Sequence, residues 1–365
     1  MPTVLKPQRG PQERFMATAA DICIYGGAAG GGKTYGLLMQ PLRYKDVSGF
    51  GCTIFRKNHN QIFSQGGLWD VASKMYSQIP GAHPRMSSYS WLFDDKKGNA
   101  VSKVTFAHIE RDQDLDKWQG TQICAIEFDE LTHFSEKAFF YMLSRNRSTC
   151  GVKPFVRASC NPDADSWVAK FIEWWIDQDT GYPIPERSGK IRYFVRREEK
   201  LYWADTRKEL WERFNLNTAE EREEPKSVTF IMSRLEDNKE LLRVNPGYMA
   251  NLKAMPLVER ERLLYGNWKI KAAAGLYFKR SQLGNYLEIL PADIIQYVRC
   301  WDLAATEETV NGDAAYTAGV LMGKRKNGRY VVIDVVNRQM SAADVRNTIK
   351  LTAQLDRAKY KRVRI

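Results

Sequence analysis

Residues 27 to 34 read GAAGGGKT, the G-x-x-x-x-G-K-[ST] pattern in which glycines let successive backbone N–H groups curl around phosphate oxygens. Gly27, Gly30, Gly31 and Gly32 supply the turn. Lys33 reaches the β- and γ-phosphates of a nucleotide, and the Thr34 hydroxyl ligates its Mg²⁺. The pattern follows a strand-like run, DICIYG at 21 to 26, and opens a helix-like one, KTYGLLMQ. The helix N-terminus there adds the positive end of its dipole to the phosphate site. Gln12 precedes the strand at a distance suited to an adenine edge, although an isolated glutamine is also an ordinary surface residue.

Hydrolysis requires, besides the loop, one acid to hold magnesium and another to polarise water. ICAIEFDE ends with Asp129 and Glu130 at the exit of an apolar strand, where a doubly wound sheet presents side chains to the phosphates. Asp129 suits the metal and Glu130 the water; Glu127, inside the strand, is assigned no chemistry. The next strand runs into Ser159-Cys160-Asn161-Pro162. This turn either senses the γ-phosphate and passes on a small displacement or is a plain Asn-Pro turn. Arg56, ending another strand, either steadies transition-state charge or faces solvent.

A second set of acids lies near the C-terminus. Asp302 ends the run in WDLAAT, Asp313 begins the next strand after a turn, and Asp334 interrupts VVIDVV. Asp302 and Asp313 on adjacent strands could hold Mg²⁺ or Mn²⁺ and activate water for phosphodiester cleavage. Each, taken alone, is as well explained as a turn or edge residue. A two-metal site takes three or four acids, and no further candidate follows Asp356.

Positioning these groups falls to short apolar runs at 21 to 26, 52 to 57, 123 to 129, 153 to 159 and 226 to 232. They are near-continuously hydrophobic, as strands covered on both faces must be, and predict a parallel α/β sheet. SYSWLFDD and KVTFAHIE around KKGN predict an inserted hairpin turning at Gly98-Asn99. Residues 187 to 224, dense in both charge signs, read as exposed helix and loop. After Trp268 a small, turn-prone stretch reads as a linker. IIQYVRCWDLA, DAAYTAGVLMG and RYVVIDVVNRQ then predict an antiparallel meander with turns at Asn311-Gly312 and Asn327-Gly328. A helix follows over AADVRNTIKLTAQLDRA, and a last strand begins at KRVRI.

At 365 residues, 44% hydrophobic and 27% charged, the chain has material for two cores and is neither disordered nor a mini-protein. Its net charge of +12, with a basic excess from 346 to 365, suits a polyanionic partner, nucleic acid first, or simply a solvated basic face. The six cysteines form no C-x-x-C pair, which points to a reducing compartment and away from zinc. With no apolar run of membrane-spanning length and no secretory signal, a cytosolic protein is expected.

In combination and order, PQERF, YGGAAGGGKTY, WQGTQICAIEFDE, ASCNP, FIMSRLEDNKELL, YGNWK, CWDLAAT and GDAAYTAGVLM resemble the large terminase subunit of tailed bacteriophages. The likeness spans most of the chain. It implies a P-loop NTPase domain of the additional-strand, catalytic-glutamate (ASCE) type over 1–268, a linker over 269–295 and a partial RNase H-like nuclease domain over 296–365. It further implies that Lys33 and Thr34 bind ATP and magnesium, Asp129 holds the ion, Glu130 activates water, and Ser159 with Asn161 couples hydrolysis to movement. Asp302 becomes the first nuclease ligand for Mg²⁺ or Mn²⁺ and Asp313 a weaker second. In the family, acids beyond the KRVRI strand complete that metal site; the 365 residues stop before them, so ATPase activity without cleavage is the expectation. The implied partners are double-stranded DNA, the portal protein, a small terminase subunit and further copies of the chain in a ring docked on the procapsid, in the host cytoplasm and away from membranes. Two other readings stay open: a DExx-type helicase or translocase, and a catalytically incomplete terminase remnant.

Overall fold

The apolar runs assemble into one sheet because each buries both faces. In the computed structural model, which describes residues 5–271, 284, 287–304, 316–360 and 362–365, the first strands are β1 (Ile22–Gly27), β2 (Gly51–Arg56), β3 (Ala82–Arg85), β4 (Ser90–Asp94) and β5 (Ala100–His108). They are followed by β6 (Ala125–Phe128), β7 (Phe155–Cys160), β8 (Ile191–Arg197), β9 (Lys200–Ala204) and β10 (Lys226–Ser233). Their order across the sheet is β3-β4-β5-β2-β6-β7-β1-β10-β8-β9. From β5 to β10 every neighbouring pair is parallel. All six residues of β1 are buried. The pleat sends Ile22 and Ile24 into a cluster with Phe128, Phe139, Phe171 and Trp268, and Cys23 and Tyr25 into another with Phe15 and Leu37.

The placement of β7 between β1 and β6 decides what the sheet can do. It separates the strand that feeds the glycine loop from the strand that ends in Asp129, leaving one strand-width between their C-terminal tips. That is the additional-strand arrangement, and Thr34, Arg56, Asp129, Glu130, Ser159 and Asn161 lie at this end of the sheet.

Two expectations are corrected. The hairpin of β4 and β5 does turn at Gly98, where φ is 83°, but it is no separate insertion. Its second strand pairs in parallel with β2 and extends the main sheet. Within 187 to 224, read as exposed helix and loop, β8 and β9 form an antiparallel hairpin that pairs with β10. The charges that disguised it are those an edge strand carries on its open side. Only Arg207–Phe214 in that region is α-helical, capped by the Thr206 hydroxyl.

The chain divides into two compact units, Met1–Ala274 and Gly275–Ile365. In the second, β11 (Ile294–Asp302), β12 (Thr317–Arg325) and β13 (Tyr330–Arg338) form the antiparallel meander, turning at Gly328. The helix Ala342–Lys359, capped by Ser341, leads to β14 (Val363–Arg364), which pairs in parallel with β11. The order is β13-β12-β11-β14. The expected turn at Asn311-Gly312, and much of the expected linker, lie outside the described residues. Among the described residues no helix is long and apolar enough to cross a membrane.

Candidate nucleotide site

An anion cradle made of backbone N–H groups has to turn its carbonyl oxygens away, and each of those needs a donor. Here side chains meet most of that demand. Lys33 Nζ donates to Gly27 O (3.2 Å) and Ala28 O (2.5 Å), the Asn238 amide to Gly30 O (2.6 Å), the Tyr25 hydroxyl to Gly31 O (3.1 Å) and Gln12 Nε2 to Gly32 O (2.9 Å). Two glycines are required by space as well as by dihedral. At Gly27, with φ of 134°, a Cβ would fall 2.3 Å from Ser233 O. At Gly30, with φ of 75°, it would meet Tyr248, Leu235 and Leu241 within 2.9 Å. Gly31 and Gly32 complete the turn, Gly32 standing as N-cap of the helix Lys33–Met39.

Three strand tips deliver the polar groups. Thr34 Oγ1, from the helix after β1, donates to Asp129 Oδ1 (3.2 Å), just beyond β6. Arg56 at the end of β2 donates Nε to Asp129 Oδ2 (2.7 Å) with a second nitrogen at 2.6 Å, so it is paired to this carboxylate. From β7, the Ser159 hydroxyl also donates to Asp129 Oδ1. Arg56 thereby neutralises one carboxylate oxygen, and the other faces two hydroxyls. A hydroxyl and a carboxylate oxygen side by side at a helix N-terminus are the hard donors a Mg²⁺ ion takes, with water and phosphate for the rest.

Glu130 follows in the left-handed region, φ 62°. Its two carboxylate oxygens accept from Asn161, Oε1 from the side-chain amide (2.8 Å) and Oε2 from the backbone N–H (3.1 Å). The other end of the Asn161 amide, Oδ1, accepts from Lys33 Nζ at 3.0 Å. Lys33, Asn161 and Glu130 are thus one chain of contacts from the loop to the acid. Burial pulls the Lys33 ammonium below its usual range, while the charges of Glu130 and Asp129 pull it back up.

Lys33, Thr34, Arg56, Glu130, Asn161 and Gln12 line one cavity of about 660 Å³. Gln12 is buried there, held between Gly32 O and the Gln8 backbone N–H (2.7 Å to Oε1), so part of its amide serves the loop. Sequence reasoning missed Gln8, Tyr25 and Asn238. Asn238 meets the loop across more than two hundred residues, and the one local signal, its position as N-cap of Lys239–Val244, marks any helix start.

The C-terminal acids do not converge in this way. Asp302 is exposed at the end of β11, and Asp313 lies outside the described residues. Asp334, read with them as a mid-strand charge, sits across Leu321 from Arg299 in the β11-β12-β13 register and pairs with it at 2.7 Å. Arg299 also holds Asp356 at 2.5 Å and 2.9 Å. Among the described residues no group of three or more His, Cys, Asp and Glu side chains is placed to hold a metal.

A glycine cradle followed by lysine and threonine, an Asp-Glu pair one strand away and an extra strand between them define a P-loop NTPase of the ASCE class. Residues 24–285 match the family described as terminase large subunit, T4likevirus-type, N-terminal, and the chain belongs to that family. No curated protein matches it. Among solved structures it is similar to the large terminase of a thermophilic bacteriophage, at 12% identity and TM-score 0.47 over 98% of this chain and 77% of that one. It is also similar to the large terminase ATPase domain of Thermus phage P74-26 (11%, 0.43, 72% and 94%) and to the HK97 bacteriophage large terminase (14%, 0.40, 98% and 67%).

Proposed function

We propose that this chain is the ATP-hydrolysing motor subunit that drives double-stranded viral DNA into a procapsid. The observation that carries the reading is the convergence of Lys33, Thr34, Glu130 and Asn161 on one cavity, with Asp129 buried behind Thr34 and bonded to its hydroxyl. ATP enters with its phosphates against the loop N–H groups, and Lys33 exchanges its bonds to the Gly27 and Ala28 carbonyls for phosphate oxygens. Thr34 and Asp129 would hold Mg²⁺, which supplies charge neutralisation on the phosphates. Glu130, oriented by both nitrogens of Asn161, takes the proton of the attacking water. Because Asn161 touches Lys33 as well as Glu130, loss of the γ-phosphate alters both ends of its amide, and with Ser159 on Asp129 it carries the event into β7.

DNA is held chiefly through phosphates, since a motor has to accept every sequence, and the +12 charge suits that. The portal protein, a small terminase subunit and further copies of the chain in a ring are its partners, in the host cytoplasm at the procapsid. The second unit is read as part of an RNase H-like endonuclease domain using Mg²⁺ or Mn²⁺. Three antiparallel strands with a fourth parallel to the first support this, and Asp302 is its first ligand.

The test is Glu130→Gln. It should bind ATP as the parent does while hydrolysis falls by about 10²–10⁴-fold. Hydrolysis at the parental rate removes Glu130 from its role. Plasmid cleavage measured with and without Mn²⁺ tests the nuclease reading separately, and DNA affinity should drop steeply with salt.

A further inference from the structure

The geometry points to Asn238 as a positioning residue for the nucleotide, an inference that rests on the reading of the cavity as an ATP site. Its side chain ties together three parts of the first unit. Nδ2 donates to Gly30 O at 2.6 Å; Oδ1 accepts from Gln8 Nε2 at 2.8 Å and from Leu241 N at 3.1 Å. The last bond caps the helix Lys239–Val244, the first of three short helices ending at Leu263. Those helices also press on the loop. Leu241 and Tyr248 close the space beside the Gly30 Cα, and the Leu263 carbonyl accepts from Ala29 N at 2.6 Å.

The consequence follows from the peptide geometry. Gly30 O and Gly31 N–H belong to one planar unit and point in opposite directions. A donor fixed on the carbonyl therefore aims that N–H, and Gln12 acts on a later peptide unit of the loop in the same way through Gly32 O. A carbonyl released from Asn238 is free to rotate toward the phosphates, where it repels them. Asn238 thus sets the direction of an N–H that binds phosphate, and it does so from the helical segment, so the loop and that segment hold their positions together.

The two halves of its amide can be separated by substitution. Asn238→Asp and Asn238→Ser both keep an oxygen to cap Lys239–Val244, since Asp, Ser and Asn are comparable caps. Neither can donate to Gly30 O as the amide does: the carboxylate has no proton to give, and the serine hydroxyl is too short to reach. Asn238→Ser adds no charge and so controls for repulsion in the aspartate variant. The experiment is calorimetric titration of the 365-residue chains with MgADP, alongside thermal unfolding without nucleotide. Both variants should unfold within a few degrees of the parent yet bind MgADP about tenfold more weakly, the worth of one lost hydrogen bond. MgADP bound equally well by parent and Asn238→Ser overturns the proposal, as does weakening confined to Asn238→Asp, which would trace the effect to charge. A parent chain that itself fails to bind MgADP overturns the ATP reading first and this inference with it.

Discussion

Two aspartate clusters, one in each unit, meet opposite kinds of partner. At the tip of β6, Asp129 meets Arg56 on one oxygen and the hydroxyls of Thr34 and Ser159 on the other, and its neighbour Glu130 faces amide nitrogens of Asn161. In the second unit Asp334 and Asp356 both close on the buried guanidinium of Arg299. A carboxylate whose charge is only half answered, among neutral hydroxyls, remains able to take a cation. One locked on a buried arginine is architecture. The difference lies in the partners, so an acid's place in the sequence does not by itself reveal its use.

The largest effect that would sharpen this contrast is on catalysis. Asp129→Asn should lower ATP hydrolysis by about 10²–10³-fold, the scale of losing one electrostatic contact to the transition state. A steady-state ATPase assay reads it. Arg299→Leu should cost about 3–5 kcal/mol in the second unit, because Asp356 would stay buried without its partner. Denaturant unfolding with a probe in that unit checks this, while the ATPase rate stays parental. If Arg299→Leu were neutral, the view of these acids as architecture would fail.

A third carboxylate lies outside both patterns. Glu127 is fully buried on β6, two residues before Asp129, and burial raises its pKa well above the usual carboxylate value despite the nearby Arg157 charge. The folded chain then keeps a proton that the unfolded chain releases. The stability from this group is complete below the ordinary glutamate pKa and is lost as pH rises through the raised one. Relative to Glu127→Gln, the parent should lose up to about 1.4 kcal/mol per pH unit across that window, measured as the difference in unfolding free energy from about pH 4 upward. A gap that does not widen with pH would mean that Glu127 is ionised in the core. The smallest effect belongs to Asp302→Asn: exposed at the end of β11, it should shift stability by no more than about 0.5 kcal/mol. A larger destabilisation would give Asp302 a structural partner and move it into the company of Asp334.

The central strands were legible because burial on both faces leaves a continuous apolar run that no other element mimics in so few residues. DICIYG and KSVTFIM sit as β1 and β10 with that pattern intact. The hairpin of β8 and β9 was not, because one face and one edge meet solvent: IRYFVRR mixes arginines with a buried Phe194 and Val195, a pattern shared with exposed helices. At the site, Lys33, Thr34, Asp129 and Glu130 were legible from spacing, since their chemistry demands fixed offsets from a turn or a strand end. The pairing of Arg56 with Asp129 and the reach of Asn238 to Gly30 come from the fold bringing distant segments together, which no local offset encodes.

The left-handed backbone of Glu130 has a price beyond chemistry. A side chain in that region costs about 1–2 kcal/mol that glycine would not incur. Glu130→Gly is therefore expected to unfold at a higher temperature than the parent while removing the carboxylate that faces Asn161. The carboxylate that Asn161 holds is thus kept in place against the preference of its own backbone.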